Sequence, residues 1–82
     1  MFWVYVLKSC KDSKLYIGST GNLVKRLWEH AEGLVKSTRN RRPLKLVYKE
    51  EFATKKEALA RERYFKSGGK ARSLLTKLIK GA

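Results

Sequence analysis

Eighty-two residues are enough for one small domain, and a 43% hydrophobic content with a single proline is globular rather than disordered. Twenty Lys and Arg against seven Asp and Glu give a net charge of +13, which opposes compaction and calls for a polyanionic partner, nucleic acid rather than membrane. One cysteine, Cys10, excludes an intrachain disulfide and a Cys-rich zinc site, and the apolar start Met1–Leu7 is too short for a signal peptide or spanning helix, so a cytoplasmic protein is expected.

Phe2-Trp3-Val4-Tyr5-Val6-Leu7 is aromatic and β-branched on both faces, as a central strand is. Ser9 to Ser13 is turn-like, and Leu15-Tyr16-Ile17-Gly18 reads as a second strand closing a hairpin. Asn22 is a good helix N-cap and Gly33 a good stop, which predicts a helix of about ten residues between them. On it Leu23, Leu27, Ala31, Val24 and Trp28 fall in one arc, the expected buried face. Lys25, Glu29 and Glu32 point to solvent, with Lys25 and Glu29 spaced to pair. Arg26 and His30 lie one turn apart and flank the buried stripe, within reach of a sheet beside it.

Lys36 to Arg42 is a basic loop without apolar periodicity. Leu44, Leu46, Tyr48 and Phe52 alternate with Lys45, Lys49 and Glu51, the mark of a half-buried third strand, although Val47 and Glu50 break the pattern. Thr54-Lys55-Lys56-Glu57 is a capping box in which Thr and Glu satisfy each other's free backbone N–H groups. A helix should run from there to Ser67 and end at Gly68-Gly69. Leu74, Leu75, Leu78 and Ile79 stripe a last helix, closed by Gly81. The expected fold class is α+β, in the order β-β-α-β-α-α, with residues 1–82 forming a single domain without repeat or linker.

Glu62 falls on the apolar face of the second helix, inside the arc of Phe65, Ala58 and Leu59, where an unpaired carboxylate is costly. A salt bridge to Lys66, four residues on, would satisfy it. The other carboxylates are accounted for: Asp12 sits in a turn, Glu29 and Glu32 face solvent, Glu57 serves the cap, and Glu50 and Glu51 point to opposite faces of a strand. Glu62 is therefore the best candidate metal ligand, and one carboxylate suffices for Mg²⁺, which keeps waters and takes phosphate oxygens. Lys36, Arg39, Arg41, Arg42 and Lys45, with Thr38 and Asn40, are expected to track a phosphate backbone.

Several of these residues together resemble a known family. Trp3-Val4-Tyr5, ten residues of connection and Tyr16-Ile17-Gly18 resemble the paired motif that names the GIY-YIG nucleases. Arg26 follows Tyr16 by ten residues, as that family's catalytic arginine does, and Ala58-x-x-x-Glu62-x-x-x-Lys66 resembles the segment carrying its metal-binding glutamate. The likeness spans Trp3 to Lys66, is greatest to small stand-alone YhbQ-like members, and extends more distantly to the N-terminal domain of the DNA repair nuclease UvrC. It implies a three-stranded antiparallel sheet flanked by helices. The first motif departs from Gly-Ile-Tyr, Ser19 stands where repair nucleases have Lys, His30 stands where some members have Tyr, and no Asn follows Glu62.

The resemblance implies a metal-dependent endonuclease. Mg²⁺ (or Mn²⁺) on Glu62 would polarise the phosphate, and Arg26 would stabilise the developing charge. Tyr5 or Tyr16 would deprotonate the attacking water, helped by lowering of a free tyrosine pKa near ~10. His30 would relay that proton or orient a tyrosine hydroxyl. Gly18 is expected to serve a positive φ or a close approach. DNA, structured or single-stranded, is the expected substrate ahead of RNA, with no small-molecule cofactor. The competing expectations are a nucleic-acid-binding module with little catalysis, favoured by the missing Asn and Lys, and a basic domain for structural RNA.

Overall fold

A computed structural model describes residues 1–81. Its elements are β1 (Phe2–Ser9), β2 (Leu15–Thr20), α1 (Leu23–Ala31), a 3₁₀ turn at Arg39–Arg41, β3 (Leu44–Phe52), α2 (Lys55–Lys66) and α3 (Lys70–Gly81). The order β-β-α-β-α-α and the α+β class are as expected. The three strands form an antiparallel sheet in the order β2-β1-β3, so the most apolar strand lies in the centre.

Strand alternation divides β1 between two faces. Val4 and Val6 join Ile17 of β2, Ala58 and Phe65 of α2 and Leu75 of α3 in the main apolar cluster. Full burial of a side chain such as Phe65 contributes roughly 1.5–3 kcal/mol. Tyr5 pairs with Gly18 and Leu7 with Tyr16, so these four share the opposite face. The break in alternation at Val47 has a structural cause. Val6 pairs with Tyr48 but Leu7 with Leu46, and Val47 is the extra residue of a bulge. Glu50 stays on the apolar face by accepting from Arg61 Nε (2.8 Å) and Tyr48 Oη (2.9 Å).

The first helix differs from expectation in orientation, not extent. Asn22 caps it by accepting from Lys25 N (3.1 Å), and Gly33, at φ +78°, follows its end. Its one buried residue is His30, while Val24 is 80% and Trp28 56% exposed and Ala31 faces solvent. Leu23 and Leu27 stay half-buried, but the rest of the apolar arc is turned outward because the face of the sheet beneath α1 carries a tyrosine hydroxyl, which the polar edge of the helix satisfies. The expected Lys25–Glu29 pair is replaced by Arg26–Glu29 (3.2 Å). In the second cap, Thr54 Oγ1 accepts from Glu57 N and donates to the Glu57 carboxylate, rather than the carboxylate reaching back to the backbone.

Candidate active site

Tyr5 stands on the central strand, and its hydroxyl lies across Gly18 of the neighbouring strand. A Cβ at Gly18 would come within 2.5 Å of Tyr5 Oη and 2.7 Å of Cζ. Gly18 is thus required for close approach, and its φ is not among the positive ones. Tyr16, half-buried, lies beside Tyr5 with ring centroids 6.3 Å apart. His30 sets its edge against both rings, at 5.6 Å from Tyr5 and 5.1 Å from Tyr16. Tyr5 Oη and His30 Nε2 are 2.9 Å apart, and His30 Nδ1 and Thr38 Oγ1 are 2.7 Å apart. Arg26 Nε donates a long bond (3.4 Å) to the same Tyr5 oxygen, and its Nη1 donates to Glu29.

Burial pushes the Tyr5 hydroxyl up to about 12, against the opposing hydrogen bond from Arg26, with the charges of Tyr16 and Glu62 adding to the rise. Burial first, and then the Arg26 charge, pushes His30 below the ordinary imidazole range, so its ring is neutral at pH 7. The bond to Tyr5, ahead of that to Glu29, holds Arg26 firmly protonated.

Glu62 approaches from the other side of the sheet. Ser19 Oγ donates to its Oε1 (2.5 Å), and Lys66 Nζ lies 2.6 Å from its Oε2. Ser19 follows Gly18 on the edge strand β2, so Glu62 is held one residue beyond the glycine that the Tyr5 hydroxyl crosses. An open groove lined by Thr20, Asn22, Lys25 and Arg26 runs along the same edge. The structure thus gathers Tyr5, Tyr16, Arg26 and His30 into one cluster, with Glu62 one residue farther along the edge. The Lys66 salt bridge and the exceptional carboxylate are both present.

The basic loop is less uniform than its sequence. Thr38 is fully buried and does not track solvent; it faces His30. Arg41 lies 3.9 Å from Asp12, and Arg42 donates to the backbone oxygens of Arg39 and Ala31 while its guanidinium covers Gly33. Lys36, Arg39 and Lys45 are exposed, with no ion pair among the described residues. The sequence places Thr38 with Asn40 in the phosphate-tracking loop and not beside His30, since a threonine in a basic run carries no signal of a buried partner. Ser19 stood out there only as a departure from the family pattern.

Comparison with known proteins gives this arrangement its family. The model of the GIY-YIG catalytic domain matches residues 1–74. The chain belongs to the GIY-YIG family. It is 54% identical to a UPF0213 protein of Clostridium perfringens over 67 residues, covering 80% of this chain and 71% of that one. It is 48% identical to the UPF0213 protein YazA of Bacillus subtilis over 63 residues, covering 76% and 63%. The chain thus spans about two thirds of the length of these relatives. The solution NMR structure of a UPF0213 protein from Bacillus halodurans is 34% identical, with a TM-score of 0.59, covering 100% of this chain and 88% of that one. The GIY-YIG domain places the chain in a nuclease family whose members generally use a divalent metal and act on nucleic acid. No helix among the described residues is long and apolar enough to cross a membrane.

The donor set can be tested against such a metal. No group of three His, Cys, Asp or Glu gathers among the described residues, which does not suit a site built wholly of protein ligands. A lone carboxylate with a hydroxyl beside it suits Mg²⁺, which binds through one or two carboxylates plus phosphate oxygens and water. The Lys66 ammonium on Oε2 marks this carboxylate as one that already holds a cation.

Proposed function

We propose that this protein is a metal-dependent endonuclease that hydrolyses phosphodiester bonds in DNA, structured or single-stranded, by a one-metal mechanism. The observation that carries the reading is the shared Tyr5 oxygen, approached by His30 and Arg26 at the strand edge where Glu62 also arrives. Arg26, with its side chain 35% exposed, is free on its outer side to fork onto phosphate oxygens and offset the charge that develops there. Its move onto a phosphate uncovers the Tyr5 hydroxyl, which stays protonated and donates to a phosphate oxygen. Tyr16, the more accessible of the two tyrosines, first gives its own proton to solvent and, as the phenolate, takes the proton of the attacking water as the water oxygen bonds to phosphorus and the P–O bond to the leaving oxygen breaks, the leaving oxygen then taking a proton from solvent. His30, neutral and buried, orients Tyr5. Glu62, with Ser19 beside it, would hold Mg²⁺ or Mn²⁺, which supplies Lewis-acid polarisation of the phosphate and assistance to the leaving oxygen. Lys36, Arg39 and Lys45 position the backbone, and Arg41 and Arg42 hold the loop through Asp12 and the backbone oxygens of Arg39 and Ala31.

The test is cleavage of labelled single-stranded and duplex DNA, and of RNA, with Mg²⁺, Mn²⁺ or EDTA. Glu62→Ala is expected to abolish metal-dependent cutting while binding persists, and Arg26→Ala to slow it by about 100-fold or more. Wild-type rates in Glu62→Ala would refute the assignment. One observation favours a second reading, a binding module with little catalysis: the Glu62 carboxylate is already satisfied on both oxygens by Ser19 and Lys66. Tight binding without cutting under any metal would select it.

A further inference from the structure

Thr38 Oγ1, the His30 ring and Tyr5 Oη form a line of three polar groups, spaced 2.7 and 2.9 Å, in residues that are 0%, 1% and 1% exposed. A neutral imidazole carries one ring proton, so the line holds three protons for two gaps. One proton is left without a partner inside the line, and its position decides the tautomer.

If the ring proton sits on Nδ1, it points at Thr38 and Tyr5 gives its own proton to Nε2. The spare proton is then that of Thr38, in a fully buried position where His30 Nδ1 is the only side-chain or backbone partner within hydrogen-bond distance among the described residues. If the ring proton sits on Nε2, Thr38 gives to Nδ1 and the ring gives to Tyr5. The spare proton is then that of Tyr5, beside the partly exposed Arg26 and the groove it lines. A donor stranded in the interior is costly, whereas the Tyr5 hydroxyl, though buried, lies behind the partly exposed Arg26 side chain, whose displacement opens it to water or a phosphate oxygen. The second arrangement is favoured.

We propose that Thr38 is a positioning residue: its hydroxyl donates to His30 Nδ1, fixes the Nε2–H tautomer and turns that proton onto the Tyr5 oxygen. Tyr5 then accepts from His30 and from Arg26, and keeps its own proton for an acceptor outside the protein. The arrangement also ties the basic loop to the tyrosine. Thr38 immediately precedes the Arg39–Arg41 turn, and Ser9 Oγ, at the end of the strand that bears Tyr5, donates to Arg41 O (2.7 Å). The loop backbone is therefore pinned on both sides of Arg39, and a phosphate held by Arg39 lies at a set position relative to Tyr5. The consequence for cutting rests on the nuclease reading, whereas the tautomer does not.

The chain has a single histidine, so long-range ¹H–¹⁵N correlation of the imidazole reads the tautomer without assignment. In the wild-type protein Nε2 is expected to carry the proton and Nδ1 to show the shift of a hydrogen-bonded acceptor. Thr38→Val is expected to move Nδ1 toward the value of an unbonded acceptor and to slow cutting by about 10-fold, with nucleic-acid affinity unchanged. Thr38→Ser is expected to restore both. A wild-type ring protonated on Nδ1 overturns the proposal, as does wild-type cutting in a folded Thr38→Val. If Thr38→Val does not fold, the wild-type spectrum and its retention in Thr38→Ser decide. If the wild-type protein cuts nothing, the nuclease reading falls, and the spectrum still decides the tautomer.

Discussion

A methyl group at Gly18 would overlap the hydroxyl of Tyr5, and the tyrosine has no slack, since it is 1% exposed and bonded at its tip. Gly18→Ala should therefore push the ring off His30 and destabilise the protein by about 1–3 kcal/mol, measured by urea unfolding; an unchanged midpoint would mean the strand edge yields freely. His30 adds a pH dependence. Its folded pKa is depressed, so the unfolded chain takes up a proton that the folded one refuses as pH falls through about 6.5. Stability should be full above that value and decline below it, before Asp12, whose pKa is also held down, contributes at lower pH. Unfolding midpoints at a series of pH values read this, and His30→Gln should flatten the slope. At this scale Tyr5, Tyr16, Arg26, His30 and Glu62 were legible as candidates because each sits at a motif position. The roles of Thr38 and Ser19 were not, because nothing local marks a hydroxyl that meets its partner only in the fold.

The elements followed from short-range rules, since caps, glycines and alternation act within a few residues. Asn22 and Thr54 cap as their side chains dictate, and Gly68 and Gly69, at φ +78° and +57°, separate α2 from α3. The rotation of α1 was misread from the hydrophobic arc alone, which assumes that the sheet offers only apolar surface. Here it offers a tyrosine oxygen, and His30 with Arg26 answers it while Val24 and Trp28 remain in solvent. The loop between α1 and β3 was read as a uniform cationic run, yet Arg41 and Arg42 are engaged within the protein. Replacing Lys36, Arg39 and Lys45 together by Ala should reduce the slope of log K against log salt by about 0.9 for each duplex phosphate that is no longer neutralised. A slope unchanged by the triple replacement would remove the loop from the interface.

Across the whole molecule, a net charge of +13 is spread over a chain with a Cα radius of gyration of 12.2 Å. At that size the Debye length of roughly 10 Å at 0.1 M salt is comparable to the distances between like charges. Added salt should therefore raise the thermal midpoint while weakening nucleic-acid binding, two effects of opposite sign from one cause. Thermal scans in NaCl read the first, and a falling midpoint would show that the ion pairs at Glu50 and Glu62 outweigh the repulsion. EDTA should leave the midpoint within about 1 °C, because the core is apolar and no cluster of metal-binding side chains among the described residues staples it.

The sequence by itself determined the element order, the strand that would be central, the caps and the family, because periodicity, turn chemistry and motif spacing are local properties of the chain. Only the tertiary structure decided which face of α1 turns inward, that Gly18 serves close approach, that Glu62 is held by Ser19 one residue beyond that glycine, and that Thr38 belongs with His30. Each of those depends on groups distant in sequence competing for the same hydrogen bonds, and that competition has no signature until the chain is folded.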